Sequence, residues 1–422
     1  MIKIKKILSD QLEISKPEKE ISEKINEISQ NFIKQLNSKL KKKKISAEVF
    51  IGGSLAKGTL VKKSKYDVDI FVRFDDKYDE PGISKLLGKV LGNEAKKIHG
   101  SRDYYQQRVD EIIMEIIPVL KIKKPEDAKN VMDLSYFHVN YILKKAKQKK
   151  KISNEIILAK SFCYAQNCYG AEGYVKGFSG YALELLIAHY GSFEKFLQQV
   201  VKNKNDEKII IDDLKHYKNK NILHELNESK LNSPIILIDP TYKQRNALAG
   251  LSNETFYKFK EVCKKFLKKP SSEFFIPKEI GIELNKKYRE KLRVIKIKTN
   301  SQQGDIAGTK SKKFFDFLTY RIKKEFKIKL AEFDYNEVRN IASGYFVLDK
   351  KPDELVKGPF TFDKKNVIRF KKSHKKTITK NRSLYIKVKH NLSFEDWFEI
   401  FVKKEKKILK QMNIKEIKLD PI

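Results

Sequence analysis

One short segment limits what this chain folds into more than any other. The run Asp67-Val68-Asp69-Ile70-Phe71-Val72 is typical of a β-strand, and its two acids alternate with apolar residues. Side chains at positions i and i+2 of a strand point the same way, about 6.5 Å apart for a rise of about 3.3 Å per residue. Two carboxylates on one strand face are suited to sharing divalent ions, and magnesium prefers such oxygen ligands together with substrate phosphates. The segment therefore predicts a strand that carries a metal site.

The residues before this strand predict a phosphate-binding turn. A short strand over Ala47–Ile51 stops at Gly52-Gly53. The backbone N–H groups and the hydroxyl of Gly53-Ser54 are suited to holding a triphosphate at a helix N-terminus, and Lys57 lies one turn further on to add charge.

A third apolar stretch, Ile112–Ile117, is closed by Pro118 and contains a single acid, Glu115. An unpaired buried carboxylate is costly, so an acid inside an apolar run usually has a charged or metal partner. Glu115 is therefore predicted to complete the metal site from a neighbouring strand, in a small mixed sheet with flanking helices. Asp110 and Glu111 are the alternative acids, but they precede the apolar run and are expected to be exposed.

The rest of the chain predicts an α+β protein of three domains. Apolar residues recur every three or four positions from Pro17 to Leu40, with Ser15 and Glu18 as a capping box. The predicted domains span residues 1–135, 136–258 and 259–422, the second mostly helical and the third α+β. Their clearest predicted elements are helices over 156–165, 181–190, 193–201, 312–325 and 394–412, and strands over 292–297 and 384–388.

The charge of the chain points to a polyanionic partner. Its 422 residues contain 90 Lys and Arg against 54 Asp and Glu, a formal charge of +36. Phosphates attract such a surface whatever their sequence, so nucleic acid is the leading candidate. The alternative is a lysine-rich composition without any partner. Three irregularly spaced cysteines indicate neither disulfides nor a zinc cluster, and we expect a cytoplasmic protein without a membrane span.

Several motifs together resemble one known family. Gly52-Gly53-Ser54-Leu55-Ala56-Lys57-Gly58-Thr59, followed by Asp67-Val68-Asp69-Ile70, resembles the signature of polymerase-beta-type nucleotidyltransferases. The archaeal-type (class I) CCA-adding enzymes, which are tRNA nucleotidyltransferases, are the members it resembles most. The segments that carry this narrower resemblance are Glu115–Pro118, Tyr136–His138, Lys160, Tyr169–Glu172, Lys176–Tyr181, Glu184, Tyr190–Glu194, Asp239-Pro240 and Arg245-Asn246.

The resemblance implies a role for individual positions. The first domain would be the catalytic nucleotidyltransferase head, the second would bind nucleotide and tRNA, and the third would be an RNA-binding body and tail. Magnesium, as two ions, would be bound by Asp67, Asp69 and Glu115. The CTP and ATP site would be formed by Gly53, Ser54, Lys57, His138, Lys160, Tyr169 and Arg245.

Each of these residues also has an ordinary structural reading. Lys57 and Lys160 would then be surface lysines, Tyr169 a core aromatic, His138 a satisfied structural histidine and Arg245 a helix-start ion pair. Two positions depart from the family pattern. Glu115 stands where Asp is usual, and Lys57 stands where Arg is common, which keeps the charge but loses bidentate contact with phosphate.

The resemblance implies addition of C, C and A to the 3′ end of tRNA from CTP and ATP, without a nucleic-acid template and with loss of pyrophosphate. The basic run Lys371–Lys376 would grip the acceptor stem, with an exposed loop as the alternative. Two rival functions are a poly(A)- or oligoadenylate-forming polymerase and a catalytically silent RNA-binding protein. The oligomeric state stays open, a homodimer included.

Overall fold

The computed structural model describes residues 2–149, 151–204 and 207–420, and the chain forms two compact units. The first unit comprises Met1–Ala171 and Val175–Pro277, and the second comprises Glu172–Tyr174 and Lys278–Ile422. The predicted boundaries after residues 135 and 258 both lie inside the first unit, and the division into three domains stays a prediction.

The first unit contains eleven named helices and eight strands in its described residues, joined by short 3₁₀ turns. In chain order these are α1 (Ile2–Ser15), α2 (Lys19–Lys42), β1 (Ala47–Ile51), α3 (Gly53–Lys57), β2 (Tyr66–Phe74), α4 (Glu80–Leu91), β3 (Lys96–Ile98), β4 (Tyr104–Val109), β5 (Ile112–Leu120), α5 (Ser135–Gln148), α6 (Ile152–Ala165), α7 (Gly180–Tyr190), α8 (Phe193–Lys202), β6 (Ile209–Ile211), α9 (Ile222–Glu225), α10 (Glu228–Leu231), β7 (Ile235–Asp239), β8 (Tyr242–Asn246) and α11 (Asn253–Lys268).

The first five strands form one mixed sheet in the order β1-β2-β5-β4-β3. β2 and β5 pair in parallel and the other neighbours pair antiparallel, so the predicted mixed sheet is confirmed. Alternation along β2 decides which side is buried. Val68, Ile70, Val72 and Phe74 point into a core with residues of α2 and α4, and the intervening positions, Asp69 among them, face the other side.

Pro118 does not end β5, contrary to the prediction from the sequence. The strand continues to Leu120, and Pro118 pairs with Val72 of β2. The antiparallel ladder with β4 reaches only to Ile116, so the missing N–H of Pro118 removes no bond from that ladder.

The predicted capping box at Ser15 is wrong because the residues before it are helical. Ser15 is the last residue of α1, and its hydroxyl accepts a hydrogen bond from the Gln11 side chain at 3.2 Å. α2 begins at Lys19. Glu18 occupies the N-cap position, but its side chain makes no capping hydrogen bond. The predicted periodicity is nevertheless correct, since Ile25, Phe32, Leu36 and Leu40 are buried.

α1 packs into the core of the helical region rather than against the sheet. Ile4 and Leu8 belong to the same buried cluster as residues of α6, α7, α8 and α11. Phe162 lies at the centre of this cluster, and its ring contacts those of Phe193, Phe259 and Phe266. Burying one such side chain contributes about 1.5–3 kcal/mol. The three predicted helices of this region are confirmed, and β6, β7 and β8 add a small sheet that was not predicted.

The second unit is α+β, as predicted. Its elements are α12 (Ile280–Tyr288), β9 (Leu292–Thr299), α13 (Gly304–Glu325), β10 (Phe326–Asn336), β11 (Ile341–Lys350), β12 (Glu354–Phe360), α14 (Lys364–Ser373), β13 (Ile378–Lys380), β14 (Ser383–Val388), α15 (Phe394–Lys404), α16 (Lys406–Gln411) and β15 (Ile414–Asp420). One sheet has the order β10-β11-β9-β15 and the other β12-β14-β13. The helix predicted over 394–412 is interrupted at Glu405, between α15 and α16.

The three cysteines are free and buried, as the absence of a disulfide pattern predicted. None of the helices in the described residues is both long enough and apolar enough to cross a membrane.

A buried ion pair fixes the C-terminal end of β5. Arg102 donates to both carboxylate oxygens of Asp133, and the backbone N–H of Leu120 donates to the same carboxylate at 2.9 Å. Neither side chain is more than 3% exposed. Arg102 also pairs with Glu80, which is about one-third exposed.

We expect Asp133→Ala to lower the unfolding free energy of the first unit by about 3–5 kcal/mol, because it leaves the Arg102 charge buried without its main partner. Glu80→Gln should cost less than about 1 kcal/mol. Hydrogen exchange of the β5 amides measures both, and fluorescence of the single tryptophan, Trp397, reports separately on the second unit. Equal losses in the two variants would contradict this assignment.

Candidate active site

The acidic face of β2 lies where the sequence predicted it. Asp67 and Asp69 share one side of the strand, and Asp69 is in register with Glu115 of the parallel strand β5. Registered residues of neighbouring strands point to the same side, so all three acids share a face. Asp67 is exposed and pairs with Lys63 at 3.9 Å, whereas Asp69 is partly buried.

The surroundings of these acids differ. Burial raises the pKa of Asp69 to about 6; the charge of Lys57 opposes the rise and that of Asp67 adds to it. Glu115 accepts a hydrogen bond from the Gln106 side chain of β4 at 2.8 Å. The alternative acids Asp110 and Glu111 are exposed in the turn between β4 and β5, as expected.

The Gly52-Gly53-Ser54 turn is built against Asp69. The Gly52 N–H donates to the Asp69 carbonyl at 2.8 Å, and Gly53 begins α3 with a φ of +55°. A Cβ atom on Gly53 would stand 1.6 Å from Oδ2 of Asp69. Glycine is therefore required here by both backbone conformation and space. Ser54, half-buried in the same turn, accepts the Thr59 N–H at its carbonyl, 2.9 Å away.

Lys57 and Lys160 come together on one buried carboxylate. Oε2 of Glu184 accepts a hydrogen bond from Lys57 at 2.6 Å, and Oε1 accepts one from Lys160 at 2.8 Å. The Thr59 hydroxyl accepts a bond from Lys160 at 2.9 Å. Both lysines are buried, so the alternative reading as surface lysines is wrong. Lys57 ends α3, whose first residue Gly53 stands against Asp69, and the charges of both lysines lower the pKa of Asp69.

The pKa values of this group follow from burial and pairing. Burial would raise the pKa of Glu184, but the charges of Lys160 and Lys57 outweigh it and hold that pKa below its ordinary value. Burial lowers the pKa of Lys160, and Glu184 opposes the shift.

His138 and Arg245 meet on a second buried carboxylate, Asp239. Nε2 of His138 lies 3.0 Å from its Oδ2, and Nη1 of Arg245 donates to the same oxygen at 2.7 Å. The Tyr181 hydroxyl donates to Oδ1 at 3.0 Å, and the Tyr181 ring stacks on His138 with centroids 4.0 Å apart. Arg245 does form an ion pair, as its ordinary structural reading expected, but it lies in β8 and not at a helix start.

Burial and pairing shift the pKa values of this second group as they do those of the first. Burial lowers the pKa of His138, and Asp239 opposes the shift only in part. A neutral ring that donates to Asp239 carries its proton on Nε2, which leaves Nδ1 as the acceptor nitrogen. Burial would raise the pKa of Asp239, but its bonds to His138 and the charge of Arg245 hold it well below its ordinary value.

Tyr169 is half-buried and lies close to the first group in space. Its hydroxyl lies 2.9 Å from where a Cβ atom of Gly180 would stand, and the same point is 3.9 Å from Cε of Lys160. Tyr169 also packs beside the helical core. Its predicted contact with nucleotide stays a prediction.

Glu184 and Asp239 are among the residues that carry the resemblance, but neither of them was predicted from the sequence to have a role in the site. Glu184 is the only acid in the apolar run Tyr181–Tyr190, and Asp239 ends the apolar run Ile235–Ile238. Both satisfy the criterion that singled out Glu115, namely an acid inside an apolar stretch. The same criterion therefore identifies Glu184 and Asp239 as candidate site residues from the sequence.

Comparison with known proteins places the site in two adjacent family domains. Residues 33–157 match the model of a nucleotidyltransferase domain, and residues 154–276 match that of the tRNA nucleotidyltransferase second domain. A CCA-adding enzyme of Nanoarchaeum equitans is 42% identical over 213 residues, which is 50% of this chain and 52% of that protein. The enzyme of Methanocaldococcus jannaschii is 29% identical over 399 residues, 91% and 87% of the two chains.

A third relative and one solved structure are also similar to this chain. The CCA-adding enzyme of Sulfurisphaera tokodaii is 33% identical over 63% of this chain and 60% of its own length. The structure of a cytoplasmic RNA terminal U-transferase superposes with a TM-score of 0.50 at 15% identity, covering 66% of this chain and 99% of that one. At this identity the superposition concerns the fold alone.

Fold and site define the class of protein as a nucleotidyltransferase of the polymerase-beta type, with the predicted catalytic head. The relatives narrow the class further. Residues 33–276 match a nucleotidyltransferase domain followed by the second domain of tRNA nucleotidyltransferases, and 91% of the chain is similar to an archaeal CCA-adding enzyme. These similarities imply nucleotide substrates and a divalent metal.

The acidic face fits such a metal by the chemistry of its donors. Among the residues that the structure describes, no three acidic, histidine or cysteine side chains already enclose a metal position. Magnesium, however, is usually bound by one or two carboxylates, with substrate phosphates and water completing its shell. Asp67, Asp69 and Glu115 supply carboxylate oxygens on one open face, which suits that mode of binding.

Replacing Gly53 tests the turn, and Gly58 provides a matched control. Both residues have a positive φ, of +55° and +63°, so alanine strains either by about 1–2 kcal/mol. A Cβ atom at Gly58 meets nothing within 4 Å, whereas one at Gly53 collides with Asp69. We expect Gly53→Ala to reduce nucleotide incorporation about a hundredfold, as displacement of a reacting group by about 1 Å does. Gly58→Ala should change stability but not kcat, and an equal loss of kcat in both would refute the collision.

Proposed function

We propose that this chain adds C, C and A to the 3′ end of tRNA from CTP and ATP, without a nucleic-acid template. The observation that carries the proposal is the gathering of two lysines, Lys57 and Lys160, beside an acidic strand face. The acids suit a divalent cation and the ammonium groups suit a triphosphate. The similarity to CCA-adding enzymes supplies the choice of substrates.

The charges of the site support a requirement for cations. Four carboxylates, those of Asp67, Asp69, Glu115 and Glu184, are accompanied by three ammonium groups, those of Lys57, Lys63 and Lys160. The protein alone therefore carries an excess of negative charge there and would repel a triphosphate. We propose two magnesium ions held by Asp67, Asp69 and Glu115. Bound magnesium would neutralise the phosphates and lower the pKa of an attacking hydroxyl.

Different side chains bind and position different parts of the nucleotide. Ser54, Lys57 and Lys160 contact the triphosphate and stabilise the charge that develops on pyrophosphate as it leaves. The ribose hydroxyl at the tRNA 3′ end attacks the α-phosphorus in line with that leaving group. Tyr169 packs against sugar or base. His138 and Arg245, fixed by Asp239, present an acceptor nitrogen and a guanidinium to the base or phosphates.

Exposed lysines of the second unit support a role in binding the acceptor stem. The run Lys371–Lys376 starts in the last turn of α14, and its four lysines are exposed. Double-stranded RNA is recognised mainly through its shape, phosphates and 2′-hydroxyls, which such a surface can contact. Because the substrate is tRNA, we expect the reaction to take place in the cytoplasm.

Stepwise incorporation on defined tRNA ends tests the proposal. Transcripts that end before CCA, after CC, or after CCA are incubated with magnesium and CTP, ATP or both, and products are separated at single-nucleotide resolution. We expect growth by three residues that requires CTP first and then stops. Long A-tails would replace the proposal with a poly(A) polymerase, and salt-sensitive tRNA binding without extension would replace it with a silent RNA-binding protein.

Asp69→Asn should abolish incorporation and leave the tRNA dissociation constant within about twofold at fixed salt, because it removes a metal ligand and no phosphate-binding cation. Asp110→Asn is the matched control: it makes the same change at an exposed acid, and asparagine also tolerates its φ of +53°. We expect the control to retain incorporation. Loss of tRNA binding together with incorporation in Asp69→Asn would refute the assignment as a metal ligand.

A further inference from the structure

Glu184 is an almost fully buried acid of the active-site region, and nothing in the proposed reaction yet uses it. Its side chain is 1% exposed, and it lies in the middle of α7 among apolar neighbours. An isolated carboxylate in such a place is strongly destabilising, so its presence depends on its partners. Those partners come from two distant parts of the chain, Lys57 of α3 and Lys160 of α6.

The bonds form a closed arrangement in which each carboxylate oxygen serves one lysine. Lys57 binds Oε2 alone, whereas Lys160 binds both Oε1 and the hydroxyl of Thr59. That hydroxyl in turn donates to Oε1 at 3.3 Å. The two ammonium groups are therefore held at fixed places although their mutual repulsion would drive them apart.

The lysines keep protons for a ligand in this arrangement. An ammonium group has three protons. The bonds found in the described part of the chain use one proton of Lys57 and two of Lys160. The remaining protons are available to phosphate oxygens without breaking the contacts to Glu184.

We propose that Glu184 is a positioning residue for nucleotide binding, which holds Lys57 and Lys160 together so that both reach one triphosphate. The inference rests on the proposed function, since it assigns the two lysines to the nucleotide. Glu184 itself does not touch the substrate. Its carboxylate fixes the spacing of the lysines and offsets the cost of burying two like charges before the nucleotide arrives.

A purely structural ion pair would behave differently from a positioning residue. Loss of a structural contact reduces the fraction of folded enzyme, which lowers apparent kcat and leaves KM for every substrate unchanged. Loss of positioning weakens the binding of nucleotide alone. The KM for CTP, the KM for ATP and the KM for tRNA therefore separate the two roles.

Glu184→Gln keeps the shape of the side chain and removes its charge. We expect KM for CTP and for ATP to rise about tenfold while KM for tRNA stays within twofold. Glu184→Asp keeps the charge on a shorter side chain and should restore part of the nucleotide affinity. Glu155→Gln is the matched control, because Glu155 of α6 accepts only the Phe193 N–H, at 2.8 Å, among the contacts described, and no lysine. The control should leave all three KM values unchanged.

Thr59→Val keeps the inference testable if Glu184→Gln does not fold. It removes the hydroxyl between Lys160 and Glu184 but leaves their direct bond and fills the same buried volume. We expect its nucleotide KM to rise about threefold with KM for tRNA unchanged.

The outcomes distinguish this inference from the proposed function. Wild-type protein that extends no tRNA would overturn the proposed function. Active wild type with unchanged nucleotide KM in a folded Glu184→Gln variant would overturn the positioning role alone. If that variant is unfolded, unchanged nucleotide KM in Thr59→Val overturns it, and the expected rise supports it.

Discussion

The parallel pairing of β2 with β5 is the constraint on which the rest of the first unit depends. It aligns Asp69 with Glu115 and, by the same register, aligns Val68 with Met114 and Ile70 with Ile116 on the opposite face. Because the side-chain period of a strand is two, one register sets both the buried face and the acidic face. A shift of one residue would place the carboxylates in the core. The apolar packing of the sheet therefore keeps the three acids on the opposite face.

Two buried carboxylates organise the remaining site residues by the same physical rule. Glu184 gathers two lysines, and Asp239 gathers a histidine, an arginine and a tyrosine. Each anion is stable in its buried position only because cations and hydrogen-bond donors surround it. In return, long flexible side chains lose their freedom before any substrate binds. The entropic cost of ordering these side chains is therefore incurred during folding and not on binding. This favours the binding of a highly charged ligand.

The sequence predicted features that depend on adjacent positions. It did not predict features that depend on residues far apart in the chain. Alternation over Asp67–Val72 predicted β2 and its acidic face, since adjacent positions alone decide the direction of a side chain. The lysine pair was not predicted as a pair, because Glu184 lies 127 residues after Lys57 and no spacing rule links them. Ser15 was assigned to the wrong helix for the opposite reason. Its local pattern suited a cap, but the preceding residues continue α1 up to it.

The position of α1 has a consequence for how the chain is made. The buried cluster that it joins includes Phe162 and Phe259, which follow it by roughly 150 and 250 residues. A ribosome adds about 5–20 residues per second, so α1 emerges many seconds before the surface that buries it exists. The sheet can form in that interval, whereas the helical core cannot close until α11 is synthesised. α1 is therefore translated early and buried late, and a nascent chain presents its apolar face to chaperones in the meantime.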